Sequence, residues 1–141
     1  MNSQSLEQVS AIRRGAIRRS ILIVEDDEAL AEVLSLRLGR QGFHTTTATS
    51  GQLGLTLARA EKPHVILLDV QLPDMDGLEL CQQLVDDERT CEIPVIIVSG
   101  SERGDIVRRS RAAGCHYFLG KPYDPNALLA LIRQALEAAE E

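Results

Sequence analysis

Four short apolar runs in this 141-residue chain each hand over to polar or charged groups. Glu25, Asp26 and Asp27 follow Ile21-Leu22-Ile23-Val24, and Asp69 follows Val65-Ile66-Leu67-Leu68. Ser99, Gly100 and Ser101 follow Val95-Ile96-Ile97-Val98, while Lys121 and Pro122 come just after Tyr117-Phe118-Leu119. Brought together, these types suit phosphoryl chemistry. Carboxylates from two strands repel by about 4 kcal/mol at ~4 Å and an effective dielectric of about 20, so protons or a cation must offset them. An all-oxygen set with no His or Cys beside it selects a hard ion, magnesium or manganese. A site with few protein ligands plus water is the habit of magnesium where it also holds a phosphate. The Asp69 carboxylate is a competent nucleophile toward phosphorus, forming an acyl phosphate. Lys121 and the metal would neutralise the transferring oxygens, and the Ser99 hydroxyl would donate to one of them. Gly100 leaves room for the group to arrive, and Pro122 biases Lys121 toward extended backbone. Asp26 or Asp27 also fits the N-cap of a following helix.

Whether these groups meet depends on the elements between them. Leu30, Val33, Leu34 and Leu38 have helical spacing and predict one apolar stripe, with Gly39 and Gly42 helping to stop the helix. Thr45 to Ala48 reads as a weaker β-branched strand, and Gly51 to Ala60 as a short helix ended by Pro63. Leu78, Cys81, Leu84 and Val85 stripe the next helix. A polar helix spans Asp105 to Ala112, and a last one spans Asn126 to Ala139, with Asp124 as cap and Pro125 in its first turn. Continuous apolar runs mark strands covered on both faces. Strands alternating with helices imply right-handed crossovers and a parallel sheet, hence a three-layer α/β/α, doubly wound domain of five strands. In such sheets ligands bind beyond the carboxyl ends of the strands, near the switch point in strand order. Every strong strand except the second therefore delivers a polar group to one edge.

Composition agrees with one domain whose core is aliphatic: 44% hydrophobic, 26% charged, 3% aromatic and no Trp. No apolar run approaches the roughly 20 residues of a membrane span, and Met1 to Ser20 lacks the apolar stretch of a signal peptide, so a cytoplasmic location is expected. Cys81, Cys91 and Cys115 form no CxxC pair, and their odd number points to free thiols and no disulfide framework. The net charge is −6. Residues 1–19 carry Arg13, Arg14, Arg18 and Arg19 against Glu7 alone, and read as a flexible basic N-terminal arm. Residues 20–141 form the domain and hold the acidic excess, which repels a nucleic-acid backbone.

The stretches ILIVEDDE at 21–28, LLDVQLPDMDG at 67–77, VIIVSG at 95–100 and FLGKP at 118–122 closely resemble the receiver domains of bacterial two-component response regulators. The similarity runs from about Ser20 to Ala139. It implies the flavodoxin-like strand order 2-1-3-4-5 and Asp69 as phospho-acceptor. It implies Asp26 as a direct magnesium ligand, Glu25 acting mainly through water, and Asp69 with the Gln71 backbone carbonyl completing the protein ligands. Ser99 and Phe118 match the family's switch positions, Lys121 matches its lysine, and the Lys121–Pro122 bond is expected to be cis. The implied phosphodonor is a sensor histidine kinase or histidine phosphotransfer protein. A downstream protein partner would read the face of the fourth helix, fifth strand and last helix. Such a protein is a switch that catalyses its own phosphorylation and dephosphorylation, and not otherwise an enzyme.

Two departures stand out. Phe118 stands where many members have Tyr, so its rotation exposes no hydroxyl. Leu131 stands where receivers that dimerise to drive DNA-binding domains typically carry Arg, and no effector domain follows Glu141, so a stand-alone receiver without direct nucleic-acid contact is expected. The alternative is a phosphorylation-independent scaffold on the same fold. An aspartyl phosphohydrolase would need a second Asp where Gln71 stands, and the phosphate loop of a flavin binder would be repelled by Glu25-Asp26-Asp27. A calcium loop from Asp69 is disfavoured by Pro73 at its fifth position and by Asp74 where Gly belongs.

Overall fold

Strands and helices alternate along the chain as the apolar runs predict. The structure, a computed structural model, describes residues 18–100, 104–115 and 117–140; the expectations for residues 1–17 and for Ser101 lie outside the described residues. The elements are β1 (Ser20–Val24), α1 (Glu28–Arg40), β2 (His44–Ala48), α2 (Gly51–Glu61), β3 (Val65–Asp69), α3 (Gly77–Asp86), β4 (Val95–Ser99), α4 (Gly104–Ala112), β5 (Tyr117–Gly120) and α5 (Pro125–Glu140). All five strands are parallel, in the order β2-β1-β3-β4-β5. The pairs Val24↔Leu68, Asp69↔Val98 and Ser99↔Gly120 bring the strand ends to one edge.

Alternate residues of each strand feed opposite cores, which is why the runs are apolar throughout. Leu22, Val24, Ile66, Leu68 and Ile97 pack with Leu55 and Ala58 of α2 and Leu78 and Leu84 of α3. Ile21, Ile23, Val65, Leu67, Ile96 and Val98 pack with Ala31 and Leu38 of α1 and Leu128 and Ile132 of α5. Ile66, Ile96 and Ile97 have no exposed surface, so truncating any one to Ala would cost about 2–5 kcal/mol.

Helix ends follow local chemistry. Asp27, not Asp26, caps α1, accepting from the Leu30 N–H at 3.1 Å. Ser50 caps α2 through the Leu53 N–H, Asp76 caps α3 through the Leu78 N–H, and Asp124 accepts from the Asn126 N–H ahead of α5. Gly39 does not stop α1 but lies inside it; Gly42, at φ 95°, turns the chain, and the Phe43 N–H returns to the Leu38 carbonyl at 3.1 Å.

Two further expectations need correcting. Val33 is 47% exposed, and Ala31 is buried in its place. The small Ala31 side chain turns the Ala31–Leu34–Leu38 side of α1 to the sheet. The cysteines are not all free: Cys81 of α3 and Cys115 before β5 are joined as a disulfide, with Cα atoms 6.8 Å apart, and Cys91 is the exposed free thiol. Both partners are buried in one core, where the crossover through β4 and α4 brings positions 34 apart face to face.

Arg18 and Arg19 are anchored. Arg18 Nε donates to the Gly42 carbonyl at 3.1 Å, and Arg19 pairs with Glu140 while its carbonyl accepts from the His44 N–H. Next to them, His64 Nδ1 accepts the Ser20 N–H at 3.0 Å. Burial, then the Arg19 charge, hold the His64 pKa below its ordinary 6.5. The unfolded chain therefore takes up this proton first, and folding stability falls as pH drops through 6.5. Melting curves from about pH 7.5 to about 5.5 should show Tm declining, with a shallower decline in His64→Ala.

Candidate functional site

Strand order reverses between β1 and β3, because the chain leaves β1 for β2 on one side and then builds outward from β3 on the other. That reversal opens a crevice beyond the carboxyl ends. Glu25 and Asp26, just past β1, and Asp69, the last residue of β3, reach it together: one carboxylate oxygen from each lies within 4.8 Å of the others. Their burial differs. Glu25 is 4% exposed, Asp69 is half-buried and Asp26 is open to solvent.

Lys121, just past β5, crosses to this group. Its Nζ is 3.1 Å from Glu25 Oε1 and 3.7 Å from Asp69 Oδ2. Burial works to lower the Lys121 pKa, but the hydrogen bond to Glu25 and the charges of Asp69 and Glu25 outweigh it and hold the ammonium above its ordinary value. The backbone aims this side chain: the Lys121 N–H donates to the Ser99 carbonyl at 2.7 Å, and the Lys121–Pro122 bond is cis, as the resemblance implies. The other oxygens are held locally. Glu25 Oε2 accepts from the Asp27 N–H at 3.3 Å, and Asp69 Oδ1 from the Gln71 N–H at 3.2 Å. Two of the three clustered carboxylates, Glu25 and Asp69, pair with the one ammonium, and all the donors are oxygens, a set that fits a hard divalent cation.

Ser99 is 2% exposed at the end of β4. Phe118 is half-buried, packs on the core shared by α2 and α3, and lines a surface cavity of about 320 Å³ with Val107, Ser110 and Leu131. Asp27 serves as a cap and stands outside the acidic group, as do Asp74 and Asp76. Asp76 caps α3 and lies 3.4 Å from Arg109, and Asp74 is bonded to α2, so no calcium loop forms here.

Sequence reasoning passed over three residues. Gly77 lies so close under the acceptor strand that an added Cβ would stand 2.3 Å from the Asp69 carbonyl oxygen and 2.7 Å from Val70 Cα. The glycine at the end of LLDVQLPDMDG was the available signal. Tyr123, two residues past Lys121, walls the underside of Glu25, Asp69 and Lys121, and burial raises its pKa. Asp74 carried no signal of its own in the sequence.

The model of the response regulator receiver domain family matches residues 21–133, from β1 into α5. The chain belongs to that family. This receiver domain is 37% identical over 121 residues to the transcriptional regulatory protein AfsQ1 of Streptomyces coelicolor, covering 86% of the chain and 52% of that protein. It is 38% identical over 114 residues to the response regulator PleD of Caulobacter vibrioides, covering 80% of the chain and 25% of PleD. The receiver domain thus spans about half the length, or less, of these curated relatives. Among solved structures, it superposes on the CheY-like receiver domain protein from Methanospirillum hungatei with a TM-score of 0.82 at 29% identity, over 87% of this chain and 97% of that one. It superposes on the receiver domain of a signal transduction histidine kinase from Syntrophus aciditrophicus with a TM-score of 0.79 at 31% identity, over 85% and 91%. The receiver domain is a module of two-component signalling, and none of its described helices is long and apolar enough to cross a membrane.

Proposed function

We propose that this receiver domain accepts a phosphoryl group on Asp69, in the cytoplasm, from a phosphohistidine on a sensor histidine kinase or histidine phosphotransfer protein. The observation that carries the reading is the crevice itself, where Asp69 shares a carboxylate group with Glu25 and Asp26 and faces the Lys121 ammonium. Magnesium, or manganese in its place, would be held by Asp26, Asp69 and the Gln71 carbonyl, with Glu25 acting through water, and would supply neutralising charge to the phosphoryl oxygens.

The chain's own residues do the rest. One Asp69 oxygen forms the bond to phosphorus as the P–N bond of the donor breaks, and the electron pair leaves with the imidazole nitrogen. The Lys121 ammonium and the Ser99 hydroxyl meet the phosphoryl oxygens on arrival. Ser99 moving inward vacates space for Phe118 to turn, and the α4–β5–α5 face changes shape for a downstream protein partner. The domain works as a switch that catalyses its own phosphorylation and dephosphorylation.

Acetyl phosphate supplies a small-molecule test. With magnesium present the chain should gain one phosphoryl group, mapped to Asp69 by peptide mass, and with EDTA it should gain none. A chain that binds no magnesium and stays unmodified would be the phosphorylation-independent scaffold instead. Lys121→Ala carries a second expectation of opposite signs. Phosphorylation should slow, while magnesium affinity should rise, on the order of tenfold, because one unit charge no longer repels the divalent ion.

A further inference from the structure

The loop between β3 and α3 starts at Asp69 and carries the Gln71 carbonyl, two of the proposed magnesium ligands between them, and it is fastened at both base and tip. At its base Gln71 and Asp76 pair as an antiparallel bridge, and the Gly77 N–H donates to the Val70 carbonyl at 2.7 Å. At its tip Asp74 reaches a different crossover. Its Oδ1 accepts from the Gly51 N–H at 2.8 Å and its Oδ2 from the Gln52 N–H at 2.9 Å, in the first turn of α2. Met75 lies flush on the same turn, where a Cβ added to Gly51 would stand 2.5 Å from Met75 Cγ. The first N–H groups of a helix have no partner within it, and the positive end of the helix dipole favours a carboxylate there. Both contacts hold the Asp74 carboxyl below its ordinary range. Asp74 is therefore turned toward α2 and stands apart from the Glu25–Asp26–Asp69 group.

We infer that Asp74 is a positioning residue for the magnesium ligands, clamping the β3–α3 loop to α2 so that the Gln71 carbonyl and the Asp69 carboxylate keep their places. The inference rests on the phosphoryl-acceptor reading above. Asp74 touches neither the metal nor the phosphoryl group; it acts through the loop. Magnesium demands near-ideal octahedral geometry, so small drift of a carbonyl ligand lowers affinity. Groups that orient metal ligands from behind typically change affinity 10- to 100-fold when removed.

Magnesium titration by calorimetry on the full chain tests this, with melting curves beside it. Asp74→Ala should raise the magnesium Kd about tenfold. Asp74→Asn, which keeps one acceptor oxygen, should fall between it and the native chain. Ser50→Ala is the control, because it removes another cap from the same turn of α2, the Leu53 N–H acceptor at 3.1 Å, without touching the loop. It should lower Tm about as much as Asp74→Ala while leaving the magnesium Kd unchanged. A native Kd in Asp74→Ala, or an equal loss of affinity in Ser50→Ala, overturns the inference. A native chain with no magnesium affinity overturns the phosphoryl-acceptor reading, and the inference with it.

Discussion

An Asp69→Asn chain should take up no phosphoryl group from acetyl phosphate in the presence of magnesium, and a phosphate-affinity gel should show no retarded band. The amide keeps the shape of the side chain and still offers an oxygen to the Gln71 N–H, so the turn after β3 survives. What disappears is the anionic nucleophile. The fold should not weaken, because three carboxylates crowd one another in the native crevice with a single ammonium beside two of them, and the substitution removes one negative charge. Tm at or above the native value, together with absent labelling, would separate lost chemistry from lost structure. A retarded band that persisted would move the acceptor elsewhere, with the exposed Asp26 first in line, and would sink the assignment.

Gly77→Ala is the second large effect, and it acts through packing. The new methyl carbon would stand 2.3 Å from the Asp69 carbonyl oxygen, and the neighbours are backbone atoms that cannot rotate away. Either α3 backs off or the end of β3 shifts. We expect a cost of about 3 kcal/mol, the upper end of overpacking, and a fall in Tm of about 10 °C. Phosphorylation should suffer as well, since the displaced backbone is that of the acceptor. Gly39→Ala makes the contrast: nothing lies within 4 Å of its Cβ position inside α1, so a gain of about 0.5–1 kcal/mol is expected. Equal Tm values for the two variants would refute the steric account.

Much of the site was legible because parallel strands deliver their last residues to one edge. An apolar run followed by Asp69, or by Glu25 and Asp26, says which end of the strand carries the chemistry. Lys121 could be placed the same way from FLGKP, whereas Phe118, inside β5, was singled out only by the resemblance. The burial of Ala31 in place of Val33 was not legible, since helical spacing alone does not say which side of a broad apolar stripe faces the sheet. Nor was the pairing of Cys81 with Cys115, which depends on how α3 and the approach to β5 come together across a crossover. Asp74 was hidden for a related reason. Its partners Gly51 and Gln52 are more than twenty positions away, at the start of a helix whose closeness to the loop follows only from the packed fold.

Lys121 is a counterion on a leash. Its ammonium stands between Glu25 and Asp69 at 3.1 and 3.7 Å, so the domain supplies part of the balancing charge from its own chain. Metal is then expected to be no folding nucleus here, in contrast to small domains that collapse when a chelator strips them. With EDTA the melt should stay cooperative, and added magnesium should raise Tm only as far as ordinary ligand binding does. Magnesium would come and go as a co-reactant of each phosphoryl exchange, and cellular magnesium would set how readily the switch charges without deciding whether the protein is folded.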